Sequence, residues 1–82
     1  VSDWIIKFSI IENYLFGKKD FEKNEKKAIE LLLEEVNKGN KYAQNKLGYF
    51  YKNGIGVEKN VYKSFYYYKL SAEQNYSVAQ YN

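Results

Sequence analysis

The sequence predicts an all-α fold in which antiparallel helix pairs stack into an α-α superhelix, or solenoid. Three observations lead to this fold class. The chain repeats itself every 36 residues, because Glu-Lys-Asn at 22–24 recurs at 58–60 and Ala-Gln at 43–44 recurs at 79–80. Each period places apolar or small residues at i, i+3, i+4 and i+7, the spacing of one helix face. No proline interrupts these segments, and a period of this length is typical of stacked helical repeats.

The first helix pair is predicted over residues 2–16 and 24–39. The second helix of the pair begins at Asn24, whose side chain can accept the free amides of the first turn. It ends at Gly39, because glycine readily adopts the left-handed conformation that closes a helix. The inward faces of the two helices are formed by Trp4, Ile5, Phe8, Ile11 and Leu15, and by Ala28, Leu31, Leu32, Glu35 and Val36.

The second helix pair is predicted over residues 40–53 and 60–75, with Asn40 and Asn60 as N-caps and Asn75 in the place of Gly39. Its inward faces are Ala43, Leu47, Phe50 and Tyr51, and Ser64, Tyr67, Tyr68, Ser71 and Ala72, whereas Tyr66 points outward. Residues 76–82 look like the start of a third repeat, in which Ala79 and Tyr81 would meet further helix. The chain is therefore divided into a divergent repeat 1–39, a well-matched repeat 40–75 and a truncated start 76–82.

The composition argues against several classes of function. The chain has no cysteine and no histidine, so disulfides, thiolate metal sites and imidazole bases are excluded. All basic residues are lysine, interspersed with glutamate, and the net charge is only +3. We expect no cofactor, no metal and no nucleic-acid partner, since arginine is the residue that best reads phosphates and bases. No apolar run is long enough to span a membrane. The compartment stays unknown, with an intracellular one favoured.

Gly54 and Gly56 form a Gly-x-Gly pair that could bind a phosphate or turn a corner between helices. A dinucleotide-binding motif would need a preceding strand and a third glycine at position 59, which is Lys59. A corner between helices has fewer requirements than a dinucleotide-binding motif. Glycine must adopt positive φ, which it tolerates, and Val57 must return the chain to the core. The first repeat has a single glycine at this corner. The sequence therefore favours a structural role for the pair.

The second repeat closely resembles the Sel1-like repeat, a relative of the tetratricopeptide repeat. The resemblance rests on Leu47-Gly48-x-x-Tyr51-x-x-Gly54-x-Gly56-Val57, followed by Lys63-Ser64, Tyr67-Tyr68, Ser71-Ala72-Glu73-Gln74 and Ala79. The family has Ala at the Ser64 and Ser71 positions and Gly at Asn75. The first repeat fits less well, because Glu12 and Glu35 align with Gly48 and Ser71, and burying either glutamate would be costly. We read it as a divergent repeat, typical of the first of an array.

The resemblance implies an α-solenoid that acts as a scaffold or adaptor for assembling protein complexes. The first helix of each pair, here called a first-type helix, would then line the concave side. Its face away from the core carries the residues predicted to bind another protein or a peptide: Ser9, Asn13, Phe16, Asn45, Tyr49, Lys52 and Tyr81. Tyrosine suits an interface anchor, since it supplies contact area with few rotors to freeze. The alternative is an ordinary surface partly covered by the next repeat.

Catalysis is not predicted for this segment. Glu34 and Glu35 are adjacent and so point about 100° apart on a helix, and Lys63 with Ser64 has no third partner that sequence can place. Two further hypotheses stay open. The segment could be an accessory region that regulates a larger enzyme or positions its substrates. It could also be a spacer, or an element that self-associates through exposed repeat ends.

Overall fold

The computed structural model describes residues 2–74, which form four helices and no strand within that range. The helices are α1 (Ser2–Phe16), α2 (Glu25–Asn37), α3 (Lys41–Asn53) and α4 (Val61–Ala72). This arrangement confirms the predicted all-α helical repeat. The predictions made for Asn75, Ala79 and Tyr81 lie outside the described residues, and the division into repeats at residues 39 and 75 stays a prediction.

The helix ends follow from local chemistry. The side-chain oxygens of Asn24, Asn40 and Asn60 each accept hydrogen bonds from backbone amides in the first turn of the helix that follows. Such caps satisfy donors that have no partner inside the helix. Gly39 follows α2 with a φ of +84°, so the predicted glycine closure of this helix is confirmed.

The helices pack in chain order, α1 on α2, α2 on α3 and α3 on α4. One continuous core runs through both repeats, and its buried members are Ile11, Leu15, Ala28, Leu32, Val36, Ala43, Leu47 and Phe50. Tyr68, Ser64 and Ser71 on α4 are buried as well, whereas Tyr66 is 55% exposed as the helical phase predicts. Because α2 contacts both α1 and α3, it joins the two repeats.

The register between the two first-type helices differs by one residue from the prediction. Gly17 and Gly54, which are 37 residues apart, both end a first-type helix with φ of +66° and +67°. Equivalent backbone hydrogen bonds, from Lys18 N to Asn13 O and from Ile55 N to Phe50 O, keep the same 37-residue offset. The N-caps of α2 and α4 keep an offset of 36. The first corner is therefore one residue longer, and Gly48 corresponds to Ile11 rather than to Glu12.

We call residues 17–24 corner 1 and residues 54–60 corner 2. Corner 2 fits tightly against the first repeat, because a Cβ atom placed on Gly56 would lie 2.8 Å from Leu15 Cδ1 and 3.1 Å from Ile29 Cδ1. The φ of +70° at Gly56 also favours glycine. Both glycines of the Gly-x-Gly pair thus have conformational reasons to be there, and Gly56 has a packing reason besides.

Glu35 lies buried at the joint between the repeats and is fully paired. Its carboxylate accepts hydrogen bonds from Lys7 Nζ at 2.9 Å, Lys38 Nζ at 3.1 Å and Asn40 Nδ2 at 3.4 Å. The hydrogen bond from Lys7 is the main reason why the pKa of Glu35 lies below its ordinary value. The expected penalty for burying this glutamate is offset because its charge meets two lysines.

Candidate protein-binding surface

The outer face of α3 can be located from what its inner face touches. A Cβ on Gly48 would lie 3.1 Å from Tyr68 Cγ, and the ring of Tyr51 stacks on Tyr67 with centroids 5.8 Å apart. The opposite side of α3 carries Tyr42, Lys46, Tyr49 and Asn53. The 37-residue offset places Ile5, Ser9, Glu12 and Phe16 at the corresponding positions of α1. Ile5 was predicted on the inward face, and this is wrong, because it is 62% exposed. These eight residues form the outer strip of the first-type helices.

A cluster of aromatic rings and one lysine crosses from α1 to α3 beside this strip, and two of its members, Lys46 and Tyr49, belong to the strip. The rings of Trp4 and Phe8 stack with centroids 5.3 Å apart and planes inclined by 25°. Lys46 Nζ lies 5.0 Å from the centroid of the Phe8 ring and 6.0 Å from that of Tyr49. Trp4, Phe8 and Lys46 are half-buried, and Tyr49 is 47% exposed. We call these four residues the aromatic–lysine cluster.

The structure separates the predicted binding residues into two groups. Ser9, Phe16, Tyr49 and Lys52 are exposed, Phe16 with 52% of its surface. Asn13 and Asn45 are 6% and 8% exposed, so their predicted place on an open surface is wrong. For Asn13 the physical reason is the register, because Asn13 corresponds to Phe50, a core residue. Asn45 is buried on α3 next to Gln44, which is buried as well. Tyr81 lies outside the described residues.

Three members of the aromatic–lysine cluster were not predicted as contact residues. Trp4 and Phe8 were assigned to the inward face, although their spacing of four residues also allows ring stacking along one helix. Lys46 was missed because one lysine among thirteen carries no sequence signal of its own. The structure reveals it, because Lys46 bridges a ring of one repeat to a ring of the next.

Lys46 forms no ion pair with a carboxylate among the residues that the structure describes. Among residues 2–74 the ion pairs use Lys7, Lys23 and Lys38, and none involves Lys46. Its ammonium group lies over the faces of two aromatic rings, an interaction of about 0.5–1 kcal/mol. A carboxylate approaching this strip would therefore find a positive charge already in position between two apolar ring surfaces.

No group of three or more His, Cys, Asp or Glu side chains comes together in residues 2–74. Burial raises the pKa of the Tyr67 and Tyr68 hydroxyls, so neither is activated as a nucleophile. Of the two candidate pairs, Glu35 is ion-paired beside an exposed Glu34, and Ser64 is buried beside an exposed Lys63. Across the same range, no helix combines the length and apolar character needed to cross a bilayer.

Comparison with known proteins gives one consistent family. The family model described as the Sel1 repeat matches residues 12–34 and 41–76, more than half of the chain. The chain is 50% identical over 40 residues to sel1-like repeat-containing protein L21 of Acanthamoeba polyphaga mimivirus, covering 49% of this chain and 8% of that protein. It is 38% identical over 60 residues to the chitin synthase regulator SKT5 of Saccharomyces cerevisiae, covering 72% of this chain and 9% of that protein.

A solved structure extends the comparison to the fold. The crystal structure of a Sel1 repeat protein from Oxalobacter formigenes matches with a TM-score of 0.78 and 36% sequence identity. The match covers 92% of this chain and 56% of that one. The chain thus spans less than two thirds of each of these proteins. The functions of those whole proteins are therefore not attributed to this chain.

Proposed function

The chain belongs to the Sel1 repeat family, whose repeats are generally protein–protein interaction modules, and we propose that it is a non-catalytic adaptor that binds a peptide or protein segment on the outer strip of its first-type helices. The mechanism is contact on a preformed surface. The two repeats hold α1 and α3 side by side, so that a partner would contact both helices at once.

The observation that carries this proposal is the aromatic–lysine cluster. It combines exposed Tyr49, two stacked rings and one lysine across the boundary between repeats. Aromatic side chains that are rigid and partly exposed are typical anchors of protein interfaces, where they bury large areas at a small entropic cost. Because Lys46 forms no ion pair within residues 2–74, the partner segment is expected to present a carboxylate beside an apolar side chain.

The proposal is tested by placing a photo-crosslinking amino acid at position 49 and, as a matched control, at position 62 on α4. Tyr62 is also an exposed tyrosine, with 85% of its surface accessible, and it lies on the other helix layer. Proteins that crosslink to position 49 but not to position 62 are purified, and their affinity for the unmodified chain is measured by titration. The Tyr49→Ala and Lys46→Ala variants are titrated alongside.

We expect Tyr49→Ala to weaken binding by about tenfold or more, equivalent to about 1.4 kcal/mol. Lys46→Ala should weaken it less and reduce its dependence on salt, since an exposed charge contributes mostly through screened attraction. Tyr62→Ala should leave the affinity within about twofold. Equal losses from Tyr49→Ala and Tyr62→Ala, or crosslinking only from position 62, would refute binding on the outer strip.

A second candidate function is an accessory region that regulates an enzyme. It is favoured by one observation, the 38% identity to a protein named a chitin synthase regulator. Under this hypothesis the partner on the outer strip would itself be an enzyme. Adding the chain to the partner identified by crosslinking would then change that enzyme's turnover, and Tyr49→Ala would abolish the change.

A further inference from the structure

One asparagine of the chain stands directly before a glycine, at the end of α3. Asn53 is followed by Gly54, and no other asparagine in the sequence precedes a glycine. Both residues are exposed. Asparagine is a chemically labile residue, and a following glycine makes it more so, because glycine has no side chain that hinders attack by its backbone nitrogen. The first repeat has Phe16 at the corresponding position, so this chemistry is confined to the second repeat.

The folded chain engages both groups that would have to react. The side-chain nitrogen Nδ2 of Asn53 donates a hydrogen bond to the backbone oxygen of Tyr49 at 3.0 Å. The backbone N–H of Gly54 donates to the backbone oxygen of Phe50. These two bonds close the last turn of α3, so the side-chain carbonyl carbon of Asn53 and the nitrogen of Gly54 meet only when that turn opens. Because the turn is an exposed helix end, its opening leaves the core folded.

We propose that Asn53 is a site of spontaneous deamidation, and that local opening of the last turn of α3 sets the rate. The nitrogen of Gly54 attacks the side-chain carbonyl carbon Cγ of Asn53, and a cyclic imide forms. The side-chain amide group takes the proton of that nitrogen and leaves as ammonia. Water then opens the imide at one of its two carbonyl carbons. Opening at Cγ gives aspartate on the original backbone, whereas opening at the backbone carbon gives isoaspartate, in which the chain continues through the former side chain.

The isoaspartate product lengthens the chain immediately before corner 2. One extra backbone carbon between α3 and Gly56 moves the tip of the corner by up to about 1.5 Å. The tip has no room for such a shift, since a Cβ on Gly56 would already lie 2.8 Å from Leu15 Cδ1 and 3.1 Å from Ile29 Cδ1. We therefore expect corner 2 to separate from the first repeat, which loosens the alignment of α1 with α3. The effect on partner binding rests on the proposed function, whereas the reaction itself needs no partner.

The test incubates the 82-residue chain alone at mildly alkaline pH, folded in buffer and unfolded in urea. Mass spectrometry of the peptide that contains residue 53 measures deamidation, and an isoaspartyl methyltransferase distinguishes isoaspartate from aspartate. Asn37 is the internal control, because it is also exposed and is the last residue of α2, but it is followed by Lys38. Asn53→Gln is the matched variant, since glutamine would have to form a larger imide ring and should give no signal.

We expect Asn53 to deamidate about tenfold or more slowly in the folded chain than in the unfolded one, while Asn37 stays unmodified. In the folded chain the rate should vary by less than about twofold at urea concentrations below the unfolding transition, because local opening exposes little surface. A rate that rises steeply with urea would show that global unfolding is required and would overturn the local gating. Equal rates in the folded and unfolded chains, or an unfolded chain in which Asn53 and Asn37 react alike, would also overturn the proposal.

The consequence for corner 2 is measured on the purified isoaspartate product. The matched control is Asn53→Asp, which has the same added charge on the original backbone. We expect the urea midpoint of the isoaspartate chain to be clearly lower than that of Asn53→Asp, because the longer backbone displaces Gly56 from the first repeat. Equal midpoints would show that corner 2 accommodates the extra carbon, and the proposed separation from the first repeat would be wrong.

Discussion

Corner 1 and corner 2 each have two left-handed backbone positions, and they differ in the residue at the second of these. Gly17 and Lys19 have φ of +66° and +57°, and Gly54 and Gly56 have φ of +67° and +70°. Lysine therefore occupies a conformation in the first corner that glycine occupies in the second. Lys19 is exposed, whereas a Cβ on Gly56 would meet two side chains of the first repeat.

The difference shows that glycine can be needed at a corner for two separate reasons, which the Gly-x-Gly motif alone does not distinguish. Positive φ favours glycine at all four positions, but an exposed L-residue can adopt it at a penalty of about 1–2 kcal/mol. Close packing against a neighbouring repeat adds a second requirement, which holds at Gly56. A Gly-x-Gly pair in this fold therefore marks a corner that is docked on another repeat, and the predictions below test that interpretation.

The largest effect is expected for Gly56→Ala. The methyl group adds a left-handed backbone penalty of about 1–2 kcal/mol and overpacking against Leu15 and Ile29 of about 1–3 kcal/mol. We expect a total loss of about 3 kcal/mol in the free energy of unfolding, measured by urea denaturation. Gly54→Ala is the matched control, because its Cβ would meet Lys59 only at 3.4 Å, and it should lose about 1 kcal/mol. Equal losses would contradict a packing role for Gly56.

Gly48→Ala tests the contact between α3 and α4 in the second repeat. Its Cβ would lie 3.1 Å from both Ser64 O and Tyr68 Cγ, so overpacking of about 1–3 kcal/mol opposes a gain in helix propensity of about 1 kcal/mol. We expect a net loss of about 1 kcal/mol by the same denaturation measurement. The first repeat has Ile11 at this position and Leu32 in place of Tyr68. The loss should therefore shrink in a Tyr68→Leu background, and an unchanged loss would argue against the contact.

The joints at the ends of α2 and α4 differ in chemistry. In the first repeat Glu35 is held by Lys7 and Lys38, whereas at the corresponding position Ser71 Oγ donates a hydrogen bond to Lys41 O at 2.7 Å. Glu35→Gln should lower the free energy of unfolding at pH 7 by about 1 kcal/mol, a modest value because both lysines are more than 40% exposed. Ser71→Ala gives a comparison in which no charge is lost.

The ion pair between Lys7 and Glu35 predicts that stability depends on pH. The pKa of Glu35 is lowered from 4.5, chiefly by the hydrogen bond from Lys7. The contribution of Glu35 to the free energy of unfolding is therefore complete above pH 4.5 and is lost as the pH falls through the folded-state pKa. The pKa of Lys7 is raised from 10.5 by Glu35, so the contribution is also lost at high alkaline pH. Stability measured from pH 7 to pH 3 should fall more steeply in the native chain than in Glu35→Gln, and parallel curves would contradict the pairing.

The sequence predicted those parts of the fold that depend on local chemistry and periodicity. The asparagine caps, the glycine closure at residue 39 and the core positions of α3 are confirmed because each depends on residues within one or two turns. The register of α1 was wrong because a one-residue insertion in corner 1 leaves the helical pattern intact. The same error placed Asn13 wrongly among the predicted binding residues. Lys46 was missed because its contact with Phe8 joins residues that are far apart in the chain.

The smallest effect is expected for Lys19→Gly, which removes the difference between the two corners. Relief of the left-handed penalty, about 1–2 kcal/mol, is opposed by the greater flexibility of glycine in the unfolded chain, about 0.5–1 kcal/mol. We expect a gain of about 0.5 kcal/mol in the free energy of unfolding, resolved by replicate urea titrations. Lys18→Gly, at a neighbouring exposed position with ordinary φ, should instead be destabilising. A lysine that is strained but exposed is tolerated, whereas the same residue at position 56 would meet the first repeat. The docked corner therefore requires glycine, and the exposed corner only favours it.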